Sequence, residues 1–505
     1  STYFKCYLLM KNIRKNIIFS GIGYILPILA ALATIPIMTA KLGVDLYGLY
    51  VICASLIGFM TLVDLGIGQT IVKYVAEYEA TGQLIKVKPM LRVALFIYLV
   101  IGCASVLGLY LGAPYLAAGL YQDSVKQALA QDVLRITALP LFFSYLNQFY
   151  LNICKAYHRF DLPAIIHNSA NIGGIMVATL VLLFGYSLRE VIWGYVFVQL
   201  IALLSGYWAS QQILPVRMSI YPHFEKAIFK EIVSFSAYTF VSNFISSLAS
   251  RADKLLIGLI IGTEAVTYYQ IPFTIAQMAN GIIHTLVHIT FPRFSEMFST
   301  NDKAGILSLY KMATDIVFLV SMMIAVMLIA VGSDFLSLWI SPSFAHLAST
   351  PLVIMAVYFF LHSNTVVGYW VLQGGGQAKL TAFMSLMDAI AYFAALYYLG
   401  KSYGSTGAAI ALFFQLITLP LQYVWIARHL GPSVLSYVTQ LLSFLLIGYS
   451  LIYVLAYINQ WIGHNIGEII LDGVLVLTLL GIALRAIMMR QDVKKSMPKA
   501  VQFKS

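Results

Sequence analysis

Charged residues are scarce in this chain. Only 10% of its 505 residues are Asp, Glu, Lys or Arg, and 60% are hydrophobic, whereas an ordinary soluble domain is about 25% charged. The scarcity excludes a water-soluble domain large enough to do chemistry alone and favours an integral membrane protein. The four cysteines, Cys6, Cys53, Cys103 and Cys154, show no paired spacing and indicate no disulfide or redox role.

Motifs for nucleotide-driven or metal-dependent chemistry are missing as well. Gly400-Lys401-Ser402 offers only the end of a phosphate-binding loop. The longest predicted outer loop has Asp334 as its only carboxylate. His284 and His288 have a spacing that could hold zinc, but no Cys or carboxylate at matching spacing completes the set. We therefore expect no enzyme, no metal site, no nucleic-acid partner and no cofactor beyond a coupling ion, H⁺ or Na⁺.

Long apolar runs predict the fold. A helix needs roughly 20 apolar residues to cross about 30 Å of hydrocarbon, and the chain has runs for about 14 such helices. The predicted fold is all-α and polytopic. The predicted helices cover about residues 17–40, 47–72, 91–112, 129–153, 162–184, 191–214, 232–261, 265–290, 312–331, 351–372, 380–399, 407–427, 434–458 and 469–489.

A long hydrophilic connection divides the predicted helices into two groups. We predict a six-helix lobe over residues 10–214, a cytoplasmic connector over 215–230 and a second six-helix lobe over 231–430. Two additional transmembrane helices over 431–490 and a basic cytoplasmic tail over 491–505 follow.

Basic residues are segregated between the two sides of the predicted membrane. Most of the 31 Lys and Arg residues lie at the N terminus, in the even-numbered links and in the tail. The other side carries Lys41, Lys126, Arg135, Arg189 and Lys401. Because cytoplasmic loops are enriched in Lys and Arg, we predict that both termini lie in the cytoplasm. The formal net charge of +11 is then weak evidence about the substrate.

The two predicted lobes repeat each other. A constant shift of 219 residues aligns Lys11 with Lys230, Gly43 with Gly262, Asp45 with Glu264, Tyr50 with Tyr269, Glu77 with Glu296, Gly185 with Gly404 and Ser187 with Thr406. Because each repeat has an even number of helices, we predict a pseudo-two-fold axis along the membrane normal with a pathway between the lobes. Two long repeats favour an alternating-access transporter over a static channel filter.

Three ionisable residues lie within the apolar run of the seventh predicted helix: Arg251, Asp253 and Lys254. Each costs roughly 2.5–3.5 kcal/mol at the centre of a membrane helix, so such residues indicate a functional site. Arg251 and Lys254 share a helix face, whereas Asp253 is expected to turn towards a neighbouring helix or to pair with Lys254. The basic face suits a phosphate anion, although Lys254 could also extend towards the membrane surface.

Further polar residues at helical depth are predicted to complete a hydrophilic cavity. Each alone is more often a hydrogen bond between helices than a ligand contact. The set is Arg135, Asn147, Gln148, Asn168, Asn171, Asn280, His284, His288, His362, Asn364, Asp388 and Gln415. Among them we predict substrate contacts for Arg135, Asn171, His284 and His288.

Four residues are predicted to have coupling or structural roles. Asp64 and Asp388 are carboxylates within apolar runs, and either a coupling role or a structural hydrogen bond fits them. Pro27 and Pro36 lie inside the first predicted helix, where they indicate a bend beside a cavity or a packing kink.

Several short motifs resemble those of a known family. The runs 41–50 (KLGVDLYGLY), 64–66 (DLG) and 73–77 (KYVAE) resemble the first two helices of bacterial polysaccharide flippases. These form the oligosaccharidyl-lipid branch of the exporter superfamily that also contains multidrug extruders. Asp253-Lys254, followed by the run 262–269, is similar to the same family's seventh helix and its turn. The resemblance covers the layout of the first twelve predicted helices.

The resemblance implies a V-shaped pair of lobes that moves an undecaprenyl-pyrophosphate-linked oligosaccharide, such as an O-antigen or capsule unit, to the outer leaflet. Arg251 and Lys254 would attract the pyrophosphate, and an ion gradient or the membrane potential would drive reorientation. No charged residue lies between Ile17 and Ala40, where the related lipid II flippases carry charges, which counts against the cell-wall precursor as substrate.

The expected partners are the lipid-linked glycan, membrane lipids and the polysaccharide polymerase machinery, and the chain is expected to be a monomer. The alternative function is a cation-coupled multidrug extruder, whose organic cations would favour an acidic cavity.

Overall fold

The structure, a computed structural model, describes residues 2–62, 67–214, 221–233, 252–288, 290–431, 434–462, 471–476 and 478–479. Throughout these ranges the regular secondary structure is helical. Eight helical stretches within them are long and apolar enough to cross a membrane. The predicted all-α, polytopic membrane fold is therefore confirmed.

The chain divides into two compact units after Thr267. The first unit contains α1 (Thr2–Leu62), α2 (Ile67–Ala80), a 3-10 turn (Leu84–Lys86), α3 (Val87–Leu120), α4 (Ser124–Ala156), α5 (Asp161–Leu183) and α6 (Leu188–Ile213). It also includes the helical residues 226–233 and 252–260.

The second unit begins within α7 (Thr263–His288). It continues through α8 (Phe291–Ser299), α9 (Lys303–Trp339), α10 (Pro342–Gly374), α11 (Ala378–Ala411), a 3-10 segment (Leu412–Leu416), α12 (Leu419–Leu430) and α13 (Val434–Ile462). The helix α13 is the first of the two additional helices predicted after residue 430, and it belongs to this unit.

Several helices differ from their predicted bounds because helical structure continues past the apolar run. Helix α3 extends beyond the predicted 91–112 at both ends. The first predicted helix and residues 47–62 of the second join into α1, and residues 67–72 of the second lie in α2. Helix α1 departs from helical dihedrals at Gly43 (φ 75°, ψ 169°) rather than at Pro27 or Pro36. Predicted helices eleven and twelve likewise meet at Gly404 within α11 (φ 61°, ψ −140°). Apolarity marks the membrane-crossing part of a helix and not its end.

The backbone preserves the 219-residue repeat. Residues with positive φ recur at this spacing in the pairs Gly43 and Gly262, Gly82 and Asn301, and Gly185 and Gly404. Positive φ is open to glycine at no steric cost and is tolerated by asparagine better than by most residues. The turns of the first half therefore recur at equivalent positions in the second half.

Aromatic packing holds α3 against α4 in the first unit. The ring centroid of Tyr98 lies 5.0 Å from that of Tyr145 and 5.7 Å from that of Phe149, and all three side chains are buried. The Asn152 amide donates a hydrogen bond of 3.2 Å to the Tyr98 hydroxyl. Because lipid tails are as apolar as leucine, such packing and hydrogen bonds hold membrane helices together. Each aromatic pair contributes about 0.5–1.5 kcal/mol beyond its buried area.

A second aromatic cluster joins α13 to the second unit. Phe318 of α9 stacks on Phe444 at 5.1 Å, and Tyr423 of α12 stacks on Tyr437 at 3.6 Å. The Gln440 amide donates a 2.5 Å hydrogen bond to the carboxylate of Asp315 in α9. The helix α13 is thus fixed by both apolar and polar contacts.

Candidate functional site

The structure pairs Lys254 with its sequence neighbour Asp253. The Lys254 ammonium lies 2.8 Å from one carboxylate oxygen and 2.9 Å from the other. The Lys254 backbone N–H donates a further hydrogen bond of 2.9 Å to the same carboxylate. Asp253 is 3% exposed and Lys254 is 6% exposed, so the charges neutralise each other away from the surface of the first unit. Of the two orientations predicted for Asp253, the structure shows the pairing with Lys254.

Close helix packing encloses the segment that carries this pair. A Cβ added at Gly258 would lie 2.6 Å from Ile52 and 3.0 Å from Leu120. A Cβ added at Gly119 would lie 2.9 Å from Leu259. Residues 252–260 therefore pack closely against α1 and α3 at the two glycines, where the nearest atoms are terminal methyl groups of side chains.

Several predicted site residues lie outside the described part of the chain. Arg251 and Asp64 are among them. The backbone of His284 and His288 lies one turn apart on α7, but their side chains are outside what the structure describes. The predicted shared face of Arg251 and Lys254 thus stays a prediction.

The structure places Arg135 on α4 and Asn171 on α5, both half-buried. The Arg135 guanidinium lies 4.7 Å from the ring centroid of Tyr110 in α3. It also donates to the Gln131 side-chain oxygen at 2.9 and 3.0 Å once that amide is oriented correctly. Arg135 therefore has local partners, and the substrate contacts predicted for both residues stay predictions.

A polar contact around Asp45 joins four segments of the first unit. The Asp45 carboxylate accepts hydrogen bonds from the Tyr121 hydroxyl at 3.0 Å, the Lys126 ammonium at 2.6 Å and the Thr263 hydroxyl. We call these four residues the Asp45 cluster. Gly43 helps to position the cluster, because α1 departs from helical dihedrals at this glycine, two residues before Asp45. Thr263 stands just after Gly262, the repeat partner of Gly43.

Backbone contacts reinforce the Asp45 cluster. The Thr267 hydroxyl donates a hydrogen bond of 2.6 Å to the Val44 carbonyl. A Cβ added at Gly48 would lie 1.9 Å from the Thr263 carbonyl oxygen, so the two segments touch main chain to main chain. The hydrogen bond to Asp45, with its charge, raises the pKa of Lys126. Burial raises the pKa of Tyr121, which keeps its hydroxyl protonated as a donor.

Asp388 lies beside an interruption of the helix in the second unit. One of its oxygens accepts the Thr418 backbone N–H at 3.0 Å and the other accepts the Thr418 hydroxyl at 2.8 Å. Thr418 stands between the 3-10 segment and α12, so the carboxylate caps the N-terminus of α12. A helix N-terminus favours an adjacent negative charge, which explains how this carboxylate is held at helical depth.

A cavity of about 200 Å³ with both polar and apolar lining adjoins this carboxylate, and we call it the Asp388 pocket. Its polar lining includes His362, Thr365, Thr381, Ser385, Gln415 and Gln422. The Tyr358 hydroxyl donates to the Gln415 side-chain oxygen at 3.0 Å, and the Ser363 hydroxyl donates to the Asn280 oxygen at 2.9 Å. Hydroxyl, amide and imidazole groups thus surround one carboxylate, a set that could hold a cation or a proton. Among the described residues, no group of three His, Cys, Asp or Glu side chains is arranged to bind a metal ion.

Residues 13–298, more than half of the chain, match the protein family described as "Polysaccharide biosynthesis protein". The chain belongs to this family. A relative of similar sequence, from Shigella flexneri, carries the name "Putative O-antigen transporter". It is 22% identical over 425 residues, which cover 82% of this chain and 97% of the relative.

Two solved structures share the fold of this chain. "Lipid II flippase MurJ, inward closed conformation" matches with a TM-score of 0.75 at 15% identity, over 94% of this chain and 100% of that chain. An inward-facing multidrug resistance MATE family transporter of the MOP superfamily matches with a TM-score of 0.64 at 12% identity, over 81% of this chain and 94% of that chain. The family match confirms the predicted polysaccharide family, and these two structures share the predicted polytopic fold.

Sequence reasoning missed the Asp45 cluster as a site. The sequence identified Asp45 and Glu264 only as residues aligned by the 219-residue repeat. Both stand two residues after a glycine with positive φ, Gly43 and Gly262. It also missed Thr418 as the partner of Asp388. A polar residue just before Pro420 is a helix-start signal that could have identified it.

Proposed function

We propose that this protein is a flippase that carries an undecaprenyl-pyrophosphate-linked oligosaccharide from the cytoplasmic to the outer leaflet by alternating access. The observation that carries the proposal is Lys254, a lysine that is 6% exposed within a transporter fold of a polysaccharide biosynthesis family. A cation at membrane depth is costly unless it serves a partner or a ligand. The lipid-linked substrate offers a pyrophosphate anion, and an ammonium is a suitable point charge for phosphate oxygens.

Alternating access requires contacts that form in one conformation and break in another. The Asp45 cluster has this character, because it joins α1, α3 and α4 to Thr263 through side chains at the ends of helices. Its carboxylate side chain is only 17% exposed and that of Lys126 is 49% exposed. Separation of Thr263 from Asp45 would leave the Asp45 carboxylate and the Lys126 ammonium near water. The contact between Thr263 and Asp45 can therefore open at a moderate free-energy cost.

Coupling to an ion gradient is assigned to the Asp388 pocket. Asp388 is held by two hydrogen bonds from Thr418, at the point where α12 begins. Carboxylates at breaks in membrane helices are typical sites for Na⁺ or H⁺ in transporters. Binding of either ion would neutralise Asp388 and weaken its attraction for the helix N-terminus.

The remaining assignments extend the same proposal. The protein acts in the bacterial inner membrane with both termini in the cytoplasm. It works as a monomer and passes its glycan to the polysaccharide polymerase machinery.

A strain that lacks the gene provides the test. Wild type, Lys254→Gln, Arg251→Ala and the control Lys401→Gln are expressed in it, and surface polysaccharide is measured together with the amount of protein in the membrane. Lys401 is an exposed lysine of α11 and serves as a matched control. Lys254→Gln and Arg251→Ala are expected to abolish surface polysaccharide at normal protein levels, and Lys401→Gln is expected to support it.

Drug susceptibility is measured in the same strains. If polysaccharide export is normal without the gene and susceptibility to organic cations rises, the protein is a multidrug extruder and the flippase proposal fails. Full export by Lys254→Gln would exclude the proposed role of the lysine.

A further inference from the structure

The ion pair between Asp253 and Lys254 differs in burial from the other ion pairs of the described chain. Those pairs, Lys126–Asp45, Arg159–Asp161 and Arg189–Asp132, each include a side chain about half exposed. The side chains of Lys254 and Asp253 are 7% and 4% exposed. A pair that water cannot screen is a strong electrostatic contact, and removal of one partner leaves an uncompensated charge.

The geometry of this pair resembles the contact that a phosphate would make. Both carboxylate oxygens lie within 2.9 Å of the Lys254 ammonium. Two oxygens of a phosphate group, with a similar charge and spacing, would approach the same ammonium. The carboxylate of Asp253 thus makes a contact with Lys254 that a phosphate group could make in its place.

We propose that Asp253 is a resident counter-ion that competes with the pyrophosphate of the lipid-linked substrate for Lys254. This inference rests on the proposed function. Without substrate, Asp253 neutralises Lys254 and allows residues 252–260 to pack against α1 and α3. With substrate, the ammonium turns to the phosphate, and the return of Asp253 favours release of the substrate on the other side.

The competition predicts opposite effects on binding and on turnover. Asp253→Asn removes the competing charge but keeps the size of the side chain and an oxygen that can accept from the Lys254 ammonium. Binding of the anionic substrate should become about tenfold tighter, because the charge of Lys254 is no longer offset at 2.8 Å. Turnover should fall at the same time, because release loses its competitor. If Asp253 had only a structural role, Asp253→Asn would weaken both substrate binding and turnover.

The test uses the full-length protein in detergent with undecaprenyl pyrophosphate as the probe and undecaprenol as the uncharged control. Binding is measured for wild type, Asp253→Asn, Asp253→Glu, Lys254→Gln and the double variant Asp253→Asn/Lys254→Gln. We expect about tenfold tighter binding for Asp253→Asn and near wild-type binding for Asp253→Glu, which restores the charge. Lys254→Gln should bind at least about tenfold more weakly, and the double variant should bind no more tightly than Lys254→Gln. Gel filtration and thermal unfolding establish that each variant is folded.

Three results would overturn the competition, and they can be told apart. If wild type prefers undecaprenyl pyrophosphate to undecaprenol but Asp253→Asn binds with unchanged or lower affinity, the competition alone is wrong. If wild type does not distinguish the two lipids, the proposed function fails and the competition fails with it. Tighter binding by the double variant than by Lys254→Gln would show that Asp253 acts on another group.

Discussion

Replacement of Gly48 by alanine perturbs the Asp45 cluster without removing any of its functional groups. The added Cβ would lie 1.9 Å from the carbonyl oxygen and 2.7 Å from the carbonyl carbon of Thr263. Cβ atoms essentially never approach other atoms closer than 3.0 Å, so the Thr263 main chain would have to move away by about 1.1 Å. Because the obstructing atoms are backbone, no side-chain rotation can relieve the overlap.

The free-energy cost follows from the hydrogen bonds that such a movement breaks. Thr263 donates to the Asp45 carboxylate, and Thr267 donates to the Val44 carbonyl at 2.6 Å. A hydrogen bond to a charged group contributes about 1.5–3 kcal/mol and a neutral one about 0.5–1.5 kcal/mol. Their combined loss, about 2–4.5 kcal/mol, corresponds to a roughly 30- to 2000-fold shift towards a conformation in which the segments are apart.

Hydrogen exchange and export together check this prediction. Gly108→Ala is the matched control, because Gly108 lies within α3 and an added Cβ there meets nothing within 4 Å. In Gly48→Ala, amides of residues 252–267 should exchange faster and surface polysaccharide should fall, whereas Gly108→Ala should behave as wild type. Identical exchange in both variants would refute the claim that main-chain contact between Gly48 and Thr263 maintains this conformation.

Three further predictions concern other contacts. Asp388→Asn should leave the protein folded but remove the dependence of transport on an imposed H⁺ or Na⁺ gradient in proteoliposomes; gradient dependence equal to wild type would contradict the coupling role. Gly368→Ala would place a Cβ 1.9 Å from the Gln422 side-chain nitrogen, and since that side chain can rotate, thermal unfolding should show a loss of only about 1–3 kcal/mol. Asp45 raises the pKa of Lys126 in the folded protein. The contribution of their ion pair to the free energy of unfolding is therefore complete below the unfolded-state pKa of about 10.4, and it is lost as the pH rises through the higher folded-state pKa. Thermal stability measured from neutral to alkaline pH should therefore decrease less in Lys126→Met than in wild type, and equal decreases would exclude the pair as the cause.

Apolar runs and glycine positions made the fold predictable. The membrane-crossing parts of the helices follow from composition, and the 219-residue spacing identified Gly43 and Gly262 before their positive φ values were known. Helix ends were less predictable, because α9 continues beyond its predicted run, 312–331, into sequence that contains Lys303, Lys311 and Asp334. Length and hydropathy describe what the lipid requires of a helix, but its ends depend on local hydrogen bonds.

The candidate sites were predictable in residue type and only partly in pairing. Helix geometry left two orientations open for Asp253, and the structure shows its pairing with Lys254. The contact between Asp45 and Thr263 joins residues 218 positions apart. No periodic pattern relates them, and their proximity depends on how the segments pack.

The repeat offers a last test of whether the charges at Asp253 and Lys254 serve the fold. Under the 219-residue shift these positions align with Thr34 and Ile35, where Thr34 is buried and donates to the Ala30 carbonyl at 2.7 Å. The first half thus forms the equivalent helix without charge. Replacement of a buried ion pair by uncharged residues of suitable size is often neutral or stabilising by about 1–4 kcal/mol. The double variant Asp253→Thr/Lys254→Ile should therefore unfold at or above the wild-type temperature and yet export no polysaccharide. Unfolding well below that temperature would show that the second half needs the ion pair for its structure. Normal export would show that transport does not require the charges of Asp253 and Lys254.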